Sequence, residues 1–265
     1  MNIPVALTIA GSDSGGGAGI QADIKSMQAN GVFAASVITA VTSQNTVAVT
    51  DAMDLPVSII ASQLDAVMSD LPVAAAKTGM LSSVEIIECV SQKVAEHTIG
   101  PLVVDPVMIS KSGFPLLKDD AVDALIKLLL PLAEVCTPNA HEAARLVGYE
   151  LSSESDAAKA AEQIFEMGPR AVLVKGGHLD AEEDAVDVLF DGSTMHVFRT
   201  PRIETVNTHG TGCTYAATIA ANLARRMSIP EAVEEAKIYV TQAIRHGLSI
   251  GKGHGPTDHF YFLRD

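Results

Sequence analysis

The chain has no tryptophan, 4% aromatic residues, three cysteines in 265 positions, and 18 basic against 32 acidic side chains. Each scarcity closes off a class of protein. Cys89, Cys136 and Cys213 are too few and too scattered for a disulfide framework or a zinc site, so a reducing, cytoplasmic setting is expected. A formal charge of −14 argues against a generic nucleic-acid or anionic-membrane surface, either of which needs a basic patch. It leaves room for small anionic ligands held by backbone amides and a few placed lysines. No uninterrupted apolar stretch reaches the roughly 18 residues that suggest a membrane span. The longest, Ala124 to Leu132, carries Lys127 and Pro131. Met1 to Ala10 has no basic segment ahead of its apolar run, so no signal peptide is expected. With 48% hydrophobic and 19% charged residues, disorder is excluded and a sizeable core is available.

Short apolar runs alternate with longer amphipathic ones, the pattern of parallel strands joined by crossover helices. Strands are expected at Val5–Ala10, Val37–Val41, Ala74–Lys77, Leu102–Val104, Val135–Thr137 and Ala171–Lys175. Helical patterns lie between them at Gly19–Asn30, Ser58–Asp70, Ser83–His97, Asp119–Leu130 and Ser155–Met167. Asp187–Phe190 and Met195–Phe198, parted by Asp191-Gly192, read as a hairpin. Two more helices follow, Gly212–Arg226 and Pro230–Gly247, the second with proline in its first turn. With no low-complexity linker and no internal repeat, one open α/β domain over residues 1–265 is expected, a mostly parallel sheet with helices on both faces.

Ligands of such folds sit beyond the carboxyl ends of the strands. Gly11–Gly19, Thr42–Thr46, Thr78–Met80, Asp105–Gly113, Thr137–Glu142 and Lys175–His178 all fall there. The loop Gly11-Ser-Asp-Ser-Gly-Gly-Gly-Ala-Gly19 permits close backbone approach to a ligand. It fits a dinucleotide fingerprint poorly, because Ser36–Asn45 lacks the acidic residue expected at the next strand end. A tight strand-to-helix turn explains the loop as well. Asp13 and Asp23 are candidates for a substrate hydroxyl or for capping.

Asn207-Thr-His-Gly-Thr-Gly-Cys-Thr214 runs into a small-residue helix. The amides of Gly210, Thr211 and Gly212 at that helix start would stabilise negative charge, including that of a phosphoryl group in flight. A Walker A motif is absent. The helix dipole is expected to lower the pKa of Cys213 and fit it as a general base. Asn139 and Glu142, three apart after Pro138, suit hydrated Mg²⁺ or, equally, a capping box. Asp105 adds an acidic group at the same edge, and Lys175 is either a phosphate contact or a solvated strand-end lysine.

Asn207–Thr214 resembles the anion-hole motif of the ribokinase-like kinases, and Asn139-x-x-Glu142 is similar to their metal-associated motif. A cysteine at position 213, where that group usually has aspartate, resembles its vitamin-kinase branch. Ala10–Asp23, Thr42–Thr46, Lys77–Met80, Val104–Met108 and Gly255–Phe260 resemble the hydroxymethylpyrimidine and phosphomethylpyrimidine kinases of thiamine biosynthesis. The resemblance implies a ribokinase-like fold, ATP and Mg²⁺, and two successive phosphorylations of 4-amino-5-hydroxymethyl-2-methylpyrimidine. It also implies a homodimer. By position, Gln44, Gly11, Asp23, Met80 and Val107 would bind the pyrimidine. Gly210, Gly212, Cys213 and Lys175 would serve transfer. Lys175, Asp105, Asn139, Thr208 and Thr211 would hold nucleotide, and Asn139, Glu142 and Asp105 the metal. Ser110–Gly113 would be a lid, with Lys111 following the phosphate. Related pyridoxal kinases carry a second cysteine in that lid, and Met108–Gly113 has none. A pyridoxal kinase and a non-catalytic pyrimidine sensor are the competing readings.

Overall fold

A computed structural model describes residues 3–110, 113–118, 120–177, 179 and 184–264. Its strands are β1 (Val5–Asp13), β2 (Phe33–Gln44), β3 (Val49–Asp54), β4 (Val73–Thr78), β5 (Leu102–Val104), β6 (Val135–Cys136), β7 (Val172–Gly176), β8 (Asp184–Phe190) and β9 (Met195–Pro201). They form one sheet in the order β3-β2-β1-β4-β5-β6-β7-β8-β9. From β2 to β7 all neighbours are parallel, whereas β3 and the β8–β9 pair run antiparallel at the two edges.

The interior strands are mostly apolar because both faces are covered, with polar residues such as Lys77 and Lys175 towards their carboxyl ends. Period-two alternation divides their side chains between two cores. Leu7, Ile9, Leu102, Val104, Val172 and Val174 pack on one side with α2 (Val57–Met68), α3 (Val84–Glu96), α5 (Ala140–Val147) and α6 (Glu154–Phe165). Ala6, Val103, Leu173 and Leu189 pack on the other with α1 (Gly19–Ala29), α7 (Thr211–Ala224) and α8 (Ile229–Arg245). Alanines at 216, 217, 220, 221 and 224 let α7 lie close to the sheet. No helix among the described residues is long and apolar enough to cross a membrane.

The fold is the expected single α/β domain, with three differences in detail. The helix expected over Asp119–Leu130 is a single turn, α4 (Ala121–Ala124), followed by a π-helical turn at Leu125–Leu129 and a 3-10 turn containing Pro131. Proline lacks the amide that would continue the α-helical ladder. Asp119 itself lies outside the described residues. β3 was not anticipated, and β2 extends well beyond Val37–Val41 in both directions. A register shift between Ala10 and Ser12 bends the end of β1 into the loop that follows.

Candidate active site

The parallel strands end along one edge, where a cleft of about 820 Å³ opens. Gly11, Gln44, Met80, Val107, Asp105, Asn139, Glu142, Lys175, Thr208, Gly210, Thr211, Gly212 and Cys213 all line it. Asp23, expected with them, does not. It is wholly buried beneath the cleft, receiving Lys77 Nζ at 3.0 and 2.9 Å on its two carboxylate oxygens and Thr8 Oγ1 at 2.6 Å. Its place at the cleft wall is taken by Lys77, a residue that the sequence reading passed over as a charge.

Gly210 caps α7 at φ +80°, a conformation that suits glycine, and a side chain there would collide with the Gly17 carbonyl. Thr214 donates to Gly210 O at 2.8 Å and Thr211 to Thr208 O at 3.3 Å. The Thr211 amide is therefore spent within the turn. Among the described residues the amides of Gly210, Gly212 and Cys213 have no acceptor, so the vacancy for an anion is one residue out of step with expectation. Gly212 leaves room for Lys175, whose ammonium stands 3.4 Å from where a β-carbon would sit.

The half-buried Cys213 does not have the lowered pKa expected of a helix start. Burial pushes its thiol up to about 11, with Asp23 and Asp105 adding to the rise against Lys77 and a Gly19 amide bond. Loss of water around the sulfur outweighs the favourable pull of Lys77 and the Gly19 amide. Lys77 is itself held well above the ordinary lysine value: burial opposes its charge, but Asp23, Cys213 and Asp105 overcome that.

Lys175 donates to Asp105 Oδ1 at 2.7 Å, and Thr137 Oγ1 donates to the same oxygen at 3.0 Å. Burial disfavours charge on both, yet the pair keeps the ammonium above and the carboxyl below their ordinary values. Asp105 is thus matched to a lysine, and among the described residues it joins no cluster of metal-type ligands. Asn139 and Glu142 close the capping box: Asn139 N donates to Glu142 Oε2 at 2.8 Å, and Glu142 N to Asn139 Oδ1 at 2.9 Å. Burial pushes the Glu142 carboxyl up to about 7, although Lys175 pulls it down.

The glycine loop is less open than its composition suggests. Asp13 takes the amides of Gly15, Gly17 and Ala18 at 2.7, 3.0 and 2.8 Å, and His209 Nε2 at 2.9 Å. Asp13 is therefore a buried organiser of the loop, with its pKa lowered by His209 and these amides despite burial. Gly11 faces Met80, whose sulfur lies 3.0 Å from the position of a β-carbon. At the far end Lys237 donates to Asp187 Oδ2 at 2.7 Å, a second buried pair that the sequence did not disclose. On either side of the expected lid, Ser110 N donates to Phe114 O at 2.8 Å and Leu116 N to Met108 O at 2.9 Å. Lys111, Ser112 and His178 lie outside the described residues.

A model of the phosphomethylpyrimidine kinase family matches residues 13–258. The chain is 49% identical over 265 residues to a hydroxymethylpyrimidine/phosphomethylpyrimidine kinase of Bacillus subtilis, covering 100% of this chain and 98% of that one. Among solved structures, an ADP complex of Bacillus subtilis pyridoxal kinase superposes with TM-score 0.93 at 38% identity, covering all of both chains. A Clostridium difficile phosphomethylpyrimidine kinase gives 0.81 at 46% identity, over 92% of this chain and 100% of that one.

Proposed function

This chain belongs to the phosphomethylpyrimidine kinase family, and we propose that it phosphorylates 4-amino-5-hydroxymethyl-2-methylpyrimidine from ATP and then its monophosphate, giving the diphosphate used in thiamine biosynthesis. The observation that carries this reading is one cleft lined by Cys213, Gly210 and Gly212 with their unclaimed amides, Lys175 and Gln44. In the first turnover the hydroxymethyl oxygen attacks the γ-phosphorus as its proton passes to the Cys213 thiolate, in the second a phosphate oxygen of the monophosphate attacks, and in both the bond to the ADP oxygen breaks. The loop amides and Lys175 face the charge that spreads over the phosphoryl oxygens. Gln44 offers an acceptor and a donor side by side, complementary to an exocyclic amine beside a ring nitrogen. Gly11, Met80 and Val107 cover the ring, while Thr208, Thr211, Asn139 and Asp105 border the nucleotide.

The donors fit a hydrated Mg²⁺ better than a directly bound one. Asn139 Oδ1 and Glu142 Oε2 are already engaged in the cap, and Asp105 is paired with Lys175. A buried Glu142 carboxyl pushed up to about 7 is, however, a group that a nearby cation would relieve. When bound, the ion neutralises phosphate charge. Glu142 and Asn139 would orient its water shell, and Lys175 would hold the phosphate oxygens.

A thiol at about 11 is mostly protonated at neutral pH, and deprotonation creates the base. The rate is therefore expected to rise with pH between 7 and 9 by up to about tenfold per unit, since the reactive fraction grows as protons leave. A flat profile over that range would move the base role away from Cys213. The activity itself is tested by ADP release with ATP and Mg²⁺ on the pyrimidine, its monophosphate and pyridoxal. Turnover on both pyrimidines well above pyridoxal is expected, and silence on all three with retained pyrimidine binding would favour the sensor. The pyridoxal kinase reading draws on the ADP complex noted above. The resemblance implies a second cysteine in the lid of a pyridoxal kinase, and Met108–Gly113 has none, which weighs against that reading.

A homodimer also belongs to this proposal. Val41, Val47, Met53, Val57 and Ile59 leave an exposed apolar strip on and beside the β2–β3 edge. Sedimentation velocity is expected to give twice the 27.7 kDa chain mass, and Met53→Glu to shift it to the single-chain value.

A further inference from the structure

Gln44 lies in a hydrogen-bond chain whose proton count is overdetermined. Its amide has Oε1 set 3.2 Å from Thr42 Oγ1 and Nε2 set 3.3 Å from His209 Nε2. His209 Nε2 also lies 2.9 Å from Asp13 Oδ2, and Thr42 Oγ1 lies 2.9 Å from the Ser12 carbonyl. Asp13 is an acceptor, so Nε2 of His209 must carry a hydrogen, and it then has no lone pair for an amide N–H. Thr42 has one hydroxyl proton, and the Ser12 carbonyl needs it. Both conflicts vanish together when the amide turns by half a revolution. Its oxygen then shares the single Nε2–H of His209 with Asp13 Oδ2, and its NH₂ donates to Thr42 Oγ1. Oxygen and nitrogen of an amide have nearly the same shape, so the change moves no heavy atom appreciably.

We propose that His209, anchored by Asp13, and Thr42, anchored by the Ser12 carbonyl, lock the Gln44 amide in this one orientation and thereby make the pocket select 4-amino over 4-oxo pyrimidines. The inference rests on the reading of Gln44 as the residue that meets the pyrimidine edge. With the amide locked, the second lone pair of its oxygen is offered on the His209 side and the second N–H on the Thr42 side. An aminopyrimidine matches that edge, donating from its amine and accepting at its ring nitrogen. In a 4-oxo pyrimidine the pattern is reversed, with a carbonyl at position 4 and hydrogen on the ring nitrogen. A free glutamine would turn over and bind either one. A locked one cannot turn without setting its NH₂ against the N–H of His209.

His209 is in this account a positioning residue, and it sits where it can do nothing else with that nitrogen. It is 8% exposed, and its ring packs on Gly17 so closely that no β-carbon fits there. Asp13 in turn is fixed by the three loop amides.

The test compares kcat/KM for 4-amino-5-hydroxymethyl-2-methylpyrimidine with that for its 4-oxo counterpart. The unmodified enzyme is expected to prefer the amine by on the order of 100-fold, the usual result of leaving buried polar groups mismatched. His209→Gln, whose own amide can turn either way, and Thr42→Val are each expected to reduce that ratio by at least about tenfold. Thr42→Ser, which keeps the hydroxyl, is expected to preserve it. A purely structural role would lower both activities and leave the ratio alone, and an unchanged ratio in both His209→Gln and Thr42→Val overturns the lock. Gln44→Ala separates the two layers of the argument. If it leaves the KM for the aminopyrimidine unchanged, the underlying reading of Gln44 fails. If it raises KM while the His209 and Thr42 variants keep full selectivity, only the lock fails.

Discussion

Cys213→Ala is expected to lower kcat by about 10² to 10⁴-fold, the range associated with loss of a positioned general base, while pyrimidine binding is spared. The split follows from where the sulfur lies. It borders the cleft at the start of α7, beside the free amides of Gly210 and Gly212, whereas the pyrimidine contacts proposed above are Gln44, Met80 and Val107. Removing one sulfur at a half-buried position leaves the loop backbone and its Gly210 turn intact. The upward-shifted thiol also makes a sharper statement than a lowered one would. A thiolate formed at about 11 is scarce but strongly basic, so the chemical step depends on it more than binding does. Isothermal titration with the pyrimidine, run beside the kinetics, checks both halves. Near-normal turnover in the alanine variant would transfer the base role to another group, and lost pyrimidine binding would make Cys213 a binding residue.

The second large effect is on stability. Lys77→Met is expected to cost about 3–5 kcal/mol, since it strips the counter-charge from a carboxylate that has no access to water. Lys77 and Asp23 both have 0% side-chain exposure, and the ammonium contacts both carboxylate oxygens. Burial already raises the Asp23 carboxyl above its ordinary value, with Asp105 adding to the rise, and Lys77 is the chief force against it. Without the lysine Asp23 takes up a proton in the folded state. Its folded pKa then lies further above the unfolded one, so the variant loses stability as pH rises past the unfolded value of about 4. The deficit should be largest at neutral and alkaline pH and smallest in mild acid. Urea titrations at several pH values measure it. The double variant Lys77→Met with Asp23→Leu should recover much of the loss, because neither charge is then left alone. A single variant as stable as the parent at pH 8 would mean that the pair is not a buried ion pair in solution.

How far the sequence discloses this molecule depends on the distance over which each feature is decided. The interior strands are legible because burial on both faces writes them as nearly unbroken apolar runs, as in Val5–Ala10, where Thr8 alone is polar. β3 is not, because Val49–Asp54 contains two aspartates and is mostly exposed, so nothing local marks it as a strand. Its partner β2 supplies the reason that it forms. The capping box at Asn139 and Glu142 is local and was read correctly as one of two options. Asp23 was misplaced because its spacing puts it on α1 near the glycine loop but does not reveal which side of the helix faces Lys77. A lysine closing an apolar strand was the available signal: it drew attention at Lys175 and was missed at Lys77. Asp13 and His209 are separated by 196 positions, and no local pattern announces that pairing.

That separation has a consequence for how the protein is made. The loop after β1 is synthesised well before the residues that complete its arrangement. Asp13 waits for His209, Gly17 packs against Gly210, and the Thr46 carbonyl receives the amide of His254. His209 in turn donates its own amide to Gly255. A nascent chain that has not yet reached His209 can form most of the parallel sheet yet possess no finished pocket. Substrate cannot act as a template for early folding, and any fragment released before His209 is translated is a scaffold without a binding site.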